Sequence, residues 1–179
     1  MNKIKKIISR LIRSFIYKLD GVSTKAYMNL YNNWLKKNGM NITGKVKYIN
    51  RTAFLDGTGY NHITLGDGVV ISYGVTLLVH DFSIEAGLNA IGKKIDFDEA
   101  YTMKDIVIGD NCFIGANVTI LGGTKLGKNC IVGAGSILPG KSYPDNSIIC
   151  GNPGKVIGDT LEWAESKLAK KEFDIGYFN

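Results

Sequence analysis

His62 and His80 are the only two histidines in a chain of 179 residues. Proton transfer near neutral pH therefore falls first to them. His80 closes an apolar run, V-T-L-L-V-H-D over 75–81, and about two dozen residues without visible periodicity follow it. A loop of that length in a compact chain is usually functional, which sets His80 at the mouth of a segment that covers a cleft. An imidazole at such a lip is suited to take a proton from an acceptor hydroxyl or amine. Asp81 or Glu85 is placed to orient its ring and stabilise the imidazolium. The competing reading is a histidine that closes a turn by hydrogen bonding, and for His62, just before a strand-like run, that reading is preferred. Two histidines cannot build a three-histidine zinc centre, and three cysteines without a C-x-x-C pair supply neither a zinc pattern nor a disulfide framework. The cysteines read as small buried residues in a reducing, cytoplasmic setting, and no metal is expected.

The elements that must hold His80 are legible in the next stretch. Ile108, Ile114, Ile120, Leu126, Val132 and Leu138 recur every sixth residue. Each is followed by Gly109, Gly115, Leu121, Gly127, Gly133 or Pro139, and four residues on stand Cys112, Val118, Thr124, Cys130, Ser136 and Ser142. A period of six fits neither a helix nor a lone strand, so it marks an internal repeat. Three hexads close a triangular coil whose parallel strands stack about 4.8 Å apart, and no coil buries its apolar side without neighbours. Cys112 and Cys130, one coil apart, should then lie one above the other. Leu65, Ile71 and Leu77 form an earlier coil, and residues 41–62 a degenerate first one. With about nineteen residues counted as inserted after His80, Asn117 falls directly over it and Gly135 one coil further, which makes Asn117 a third candidate site residue.

The ends differ in character. Ile4, Ile7, Ile8, Leu11, Ile12, Phe15, Ile16 and Leu19 make one apolar stripe at helical spacing, and the opposite side is basic. It reads either as a helix packed on the coil or another subunit with its lysines in water, or as one lying on an anionic membrane surface. A second helix over about 24–37 with Gly39 as its stop, and a closing helix over about 160–170 opened by Asp159 and Glu162, complete the outline. The divisions are 1–40 for a helical segment, 41–158 for the coil with an excursion loop at 81–105, and 159–179 for a helix and tail. No apolar run reaches the roughly twenty residues of a membrane span. The net charge of +6 arises almost wholly from residues 1–20, which argues against a nucleic-acid surface.

The hexads at 63–77, the V-T-L-L-V-H-D at 75–81, I-V-I-G-D-N-C-F-I-G-A-N-V-T-I-L at 106–121, I-V-G-A-G-S-I-L at 131–138 and G-N-P-G-K-V-I at 151–157 together resemble the hexapeptide-repeat acyltransferases. Among these the chain is similar to the maltose, galactoside and capsular-polysaccharide O-acetyltransferases. The resemblance implies a mainly β fold, a left-handed parallel β-helix, assembled as a homotrimer with sites between subunits. It implies acetyl-CoA as cosubstrate, a sugar or polysaccharide-precursor hydroxyl as acceptor, His80 as general base, and direct transfer with backbone N–H groups holding the oxyanion. Gly115, Ala116, Gly133 and Ala134 then match the path of the pantetheine arm, and Lys155 a cation for coenzyme phosphates. P-G-K-S-Y-P at 139–144 departs from the family's T-K-D-I-P, and Lys141 is the candidate replacement for its lost cation. An N-acetyltransferase of a nucleotide-linked amino sugar and a non-enzymatic coil scaffold are the alternatives.

Overall fold

A computed structural model describes residues 3–93 and 99–175. After α1 (Lys3–Lys18) and α2 (Thr24–Lys37), the chain lays short strands on three faces in strict rotation. The first face carries β1 (Asn41–Ile42), β4 (Ile63–Leu65), β9 (Ile106–Ile108), β12 (Lys125–Leu126) and β15 (Ser142–Tyr143). On the second lie β2 (Tyr48–Ile49), β5 (Val70–Ile71), β10 (Phe113–Ile114), β13 (Ile131–Val132) and β16 (Ser147–Cys150), closed by the antiparallel β17 (Lys155–Asp159). The third carries β3 (Phe54–Leu55), β6 (Thr76–Leu78), β11 (Thr119–Leu121) and β14 (Ile137–Leu138). All pairings within the three faces other than β16 to β17 are parallel.

The hexad residues are the reason for this architecture. Leu65, Ile71, Leu77, Ile108, Ile114, Ile120, Val132 and Leu138 are each at most 1% exposed and fill the centre of the coil. The ladder joins Phe113 to Ile131, so Cys112 stacks on Cys130 as the spacing requires, and both are buried. Within the hexads from Ile108 onward the rhythm fails once. Tyr143, not the sixth residue after Leu138, sits over Leu126, because the Pro139-Gly140-Lys141 turn is one residue short. Ser142 therefore faces outward, against the count, and the Tyr143 hydroxyl donates to the Gly154 carbonyl at 3.1 Å.

α2 caps the open end of the first coil. Tyr27, Tyr31 and Leu35 are at most 2% exposed, the Tyr27 hydroxyl donates to the Ile49 carbonyl at 2.7 Å, and the Asn32 amide donates to the Val46 carbonyl at 3.1 Å. These bonds satisfy carbonyls that a following strand would otherwise take up. α4 (Thr160–Lys170) begins where the sequence places it, with the Asp159 carboxylate accepting from the Leu161 and Glu162 N–H groups.

α1 docks the opposite way from the packed reading of its stripe. The indole N–H of Trp34 donates to the Ser9 carbonyl at 3.1 Å, the Ser9 hydroxyl donates to Asn38 Oδ1 at 2.9 Å, and the Tyr17 and Tyr31 hydroxyls meet at 3.1 Å. Arg13 lies over the rings of Tyr17 and Trp34. The side bearing Ser9, Arg13 and Tyr17 is thus packed, joined at the end of the stripe by Ile16, 3% exposed, and Leu19, while Ile7, Ile8, Leu11, Ile12 and Phe15 stay between 48% and 66% exposed.

The excursion is more ordered than its lack of rhythm suggests. Its ends pair as an antiparallel ladder, β7 (His80–Asp81) with β8 (Thr102–Met103), and α3 (Ser83–Ala90) lies between.

Candidate active site

His80 leaves the third face at the corner where the chain turns back to the first. Leu77 pairs with Ile120, so this turn of the coil takes forty-three residues where the next takes eighteen. The insertion is therefore twenty-five residues and not about nineteen. That difference moves Asn117 away from His80, whose corner the next coil passes at Gly122 and Gly123, with Gly122 against the Val79 carbonyl. Asn117 sits one corner earlier, its N–H donating to the Tyr73 carbonyl at 2.8 Å and its side chain over Gly74. Its left-handed backbone, φ 57, marks it as a turn residue.

Asp81 does not orient His80 either. Its carboxylate accepts from the Ser83 N–H at 2.8 Å, a local turn that opens α3 and holds its pKa down. Successive residues of a strand point to opposite sides, so the residue next to His80 in β7 faces away from its ring.

The acid that holds His80 is Asp56, from the first coil. Leu55 pairs with Leu77, which places Asp56 under the end of β6, and the Asp56 Oδ2 accepts a short hydrogen bond from His80 Nδ1. The same oxygen accepts from the Val79 N–H at 3.2 Å, and Oδ1 accepts from the Thr58 N–H at 3.1 Å and the Thr58 hydroxyl at 2.6 Å. Asp56 is 1% exposed, yet fully supplied with donors. Burial pushes its pKa up, but the bonds from Thr58, His80 and Val79 together outweigh that and leave it lowered. A carboxylate that stays ionised can only accept, so in the neutral ring the proton stands on Nδ1 and the lone pair on Nε2. Among the described residues nothing bonds to Nε2, and the side chain is 23% exposed. Phe82 packs edge-on to the imidazole with centroids 5.2 Å apart, and Tyr101 backs Phe82 at 5.5 Å.

The turn that delivers Asp56 depends on Gly59. A Cβ there would stand 2.9 Å from Val79 Cγ2 and 3.3 Å from both the His62 ring and Met103 Sδ, so a side chain at 59 would displace those groups where the 56–62 loop packs under the excursion. His62 lies on this loop, and its Nδ1 meets Asp105 Oδ1 at 2.6 Å, the ladder neighbours Ile63 and Ile106 bringing them together. This is a tie between coils at the loop's return.

The lowered pKa of Asp56 carries a stability consequence. Its folded value lies below the unfolded aspartate value of about 3.9, so it adds stability above that pH and loses it as pH falls toward the folded value. Denaturant unfolding between pH 3 and 7 should show Asp56→Asn less stable than the parent near neutrality, with the gap narrowing below about pH 4.

The other candidates divide between two corners. Ala116 and Ala134 turn the corner between the second and third faces, just after Gly115 and Gly133, where Gly135 adopts φ 72 with open space in place of a side chain. Lys155 joins them, since it pairs with Cys150, whose sulfur lies against Gly133. Lys141 instead shares the His80 corner, two coils further on. One chain thus brings His80 and Lys141 to one edge, and the small-residue column with Lys155 to the next edge, across the third face. Gly115 is buried against the Val132–Ala134 backbone, while Ala134 and Gly135 are exposed beside the half-buried Ala116; that corner leaves room for a narrow chain with amide groups, and Lys155 suits a phosphate, so the residues present fit coenzyme A.

Sequence reasoning did not reach Asp56. Its signal was present in T-A-F-L-D-G-T-G, where a carboxylate directly follows the inward Leu55, one coil below Leu77. Among the described residues no cluster of histidine, cysteine, aspartate and glutamate is arranged to hold a metal ion.

The three-sided parallel coil built in six-residue steps defines a class, the hexapeptide-repeat proteins. Residues 105–139 match the family described as the hexapeptide repeat of succinyl-transferase. Protein CapG of Staphylococcus aureus is 35% identical over 140 residues, which cover 78% of this chain and 77% of that protein. The chain belongs to the hexapeptide-repeat acyltransferase family. Galactoside O-acetyltransferase of Escherichia coli K12 is 37% identical over 95 residues, 53% of this chain and 43% of that enzyme. Against several such relatives the match spans about half of their length or less. The solved galactoside acetyltransferase complex with coenzyme A shares the fold, with a TM-score of 0.60 at 22% identity, covering 88% of this chain and 83% of that one.

Proposed function

We propose that the protein is an acetyl-CoA-dependent O-acetyltransferase acting on a sugar or polysaccharide hydroxyl, with the coil at 41–158 as its catalytic domain. The observation that carries this reading is His80 held by Asp56 with Nε2 unbonded. Nε2 takes the proton of the acceptor hydroxyl as its oxygen attacks the thioester carbonyl, and the imidazolium, stabilised by Asp56 through Nδ1, gives that proton to the thiolate that departs when the carbon–sulfur bond breaks. Bound acetyl-CoA supplies a thioester-activated acetyl group. The pantetheine arm follows Gly115, Ala116, Gly133 and Ala134, and Lys155 meets the phosphates. Lys141 stands near the base on its own edge. Relatives named for galactoside and structures named for maltose and coenzyme A support sugar acetylation.

In this proposal the coil is left-handed and the molecule a homotrimer. Trimer packing brings the His80 edge of one copy to the small-residue edge of the next, which joins what a single chain keeps apart. Val156, Ile157, Leu161, Trp163 and Leu168, between 48% and 65% exposed, give β17 and α4 an apolar surface for that contact. The outward stripe of α1, with Lys5 and Lys18 exposed beside it, lies on an anionic membrane surface at the cytoplasmic side. No described helix is long and apolar enough to cross a membrane.

The direct assay is free-thiol release from acetyl-CoA with a panel of hydroxyl sugars and amino sugars. Release with hydroxyl sugars at least about a hundredfold over background, the lower end of the 10²–10⁴-fold scale of general base catalysis, is expected. Thiol release confined to amino sugars would shift the reaction to N-acetylation, and none with any acceptor would favour the scaffold reading.

A further inference from the structure

A cleft of about 870 Å³ opens between α1, α2 and the edge strand β3, and His80 with Asp56 lies at one end of it. Its walls carry three arginines, Arg10 and Arg13 from α1 and Arg51 from the corner before β3. Among the described residues, none of the three forms an ion pair with a carboxylate. Among the described residues, Asp56 is the only acidic one lining the cleft, and its oxygens are already supplied by Thr58, Val79 and His80.

We propose that this cleft binds the acceptor through an oxyanion, a phosphate or carboxylate carried on the sugar, held by Arg10, Arg13 and Arg51. The inference rests on the acetyl-transfer reading and names the substrate class that reading leaves open. Three like charges around one concavity repel each other unless an anion joins them, and guanidinium forks match phosphate and carboxylate oxygens in bidentate fashion. Arg13 is held in place for this task, 5.4 Å from the Trp34 ring and 5.8 Å from the Tyr17 ring, with the Tyr60 hydroxyl as a further neighbour. Preorganisation of that kind reduces the ordering cost of binding.

The orientation of α1 supports the same assignment. An amphipathic helix with this pattern would ordinarily bury its apolar stripe. Here the helix turns Ile7, Ile8, Leu11, Ile12 and Phe15 outward and places Arg10 and Arg13 in the wall of the cleft that His80 also lines. Solvated surface arginines need no such arrangement.

Coenzyme phosphates are the other source of oxyanions near this enzyme. Lys155 lies in β17, five strands along the second face from β2, next to which Arg51 stands. At about 4.8 Å per strand the two basic sites are roughly 24 Å apart, at opposite ends of the stack.

The test compares glucose, glucose 1-phosphate and glucuronic acid, by calorimetric binding to the full chain and by thiol release. The parent protein should bind both charged sugars at least tenfold more tightly than glucose, the preference weakening as salt is raised. In Arg10→Gln/Arg51→Gln, two exposed positions, the preference should fall at least fivefold with KM for acetyl-CoA unchanged. Equal binding of the three sugars overturns the proposal, as does a preference that survives the double substitution. A rise in KM for acetyl-CoA without change toward the sugars assigns the arginines to the coenzyme and also overturns it. Anion preference that depends on the arginines, with no thiol released, supports the oxyanion site and defeats acetyl transfer instead.

Discussion

His80→Ala should lower kcat for acetyl transfer by about 10²–10⁴-fold, the range associated with a positioned general base. Asp56→Asn should fall in the same range, for a different reason. An asparagine facing Nδ1 can turn its amide N–H toward the ring, which moves the imidazole proton to Nε2 and removes the lone pair that accepts the hydroxyl proton. Steady-state thiol release, with circular dichroism to confirm folding, is the measurement. Asp81→Asn is the control. Its carboxylate serves the Ser83 N–H and not the ring, so its rate should stay within about threefold of the parent, far below the effect expected for a group of the catalytic pair. Equal losses for Asp56 and Asp81 variants would overturn the assignment of the orienting acid.

The second large effect concerns α1. Leu11 and Phe15 are 66% and 64% exposed on its outward stripe. If a bilayer covers them, burying each contributes about 1.5–3 kcal/mol, and Leu11→Ser with Phe15→Ser should reduce binding to phosphatidylserine vesicles by about a hundredfold or more, at 1.4 kcal/mol per factor of ten. Flotation measures the first outcome and sedimentation the alternative. Unchanged flotation together with loss of the oligomer would give the stripe to a neighbouring subunit.

The hexads carried the coil into view because their signal is local and repeated. Each aliphatic at period six must face inward whatever surrounds it, and the same rule placed Cys112 over Cys130. The boundaries of α2 and α4 were equally readable, since helical spacing and the Asp159 cap act within a few residues. His80 was singled out by scarcity and by the break in rhythm. Its partners were not, because the excursion hides the register. The length of the insertion leaves no mark in the sequence, so the period alone sets Asn117 at the wrong corner, and proximity in sequence favours Asp81 although neighbours in a strand face opposite sides.

From the sequence alone come the three-sided coil, its small-residue corner and the histidine at its break, all consequences of short-range periodicity and turn chemistry. The tertiary structure decided that Asp56 holds His80, that α1 turns its apolar stripe outward, and that three arginines converge on the same cleft. Those facts depend on which coil stacks over which and which side of a helix docks, and contacts between residues distant in sequence set both.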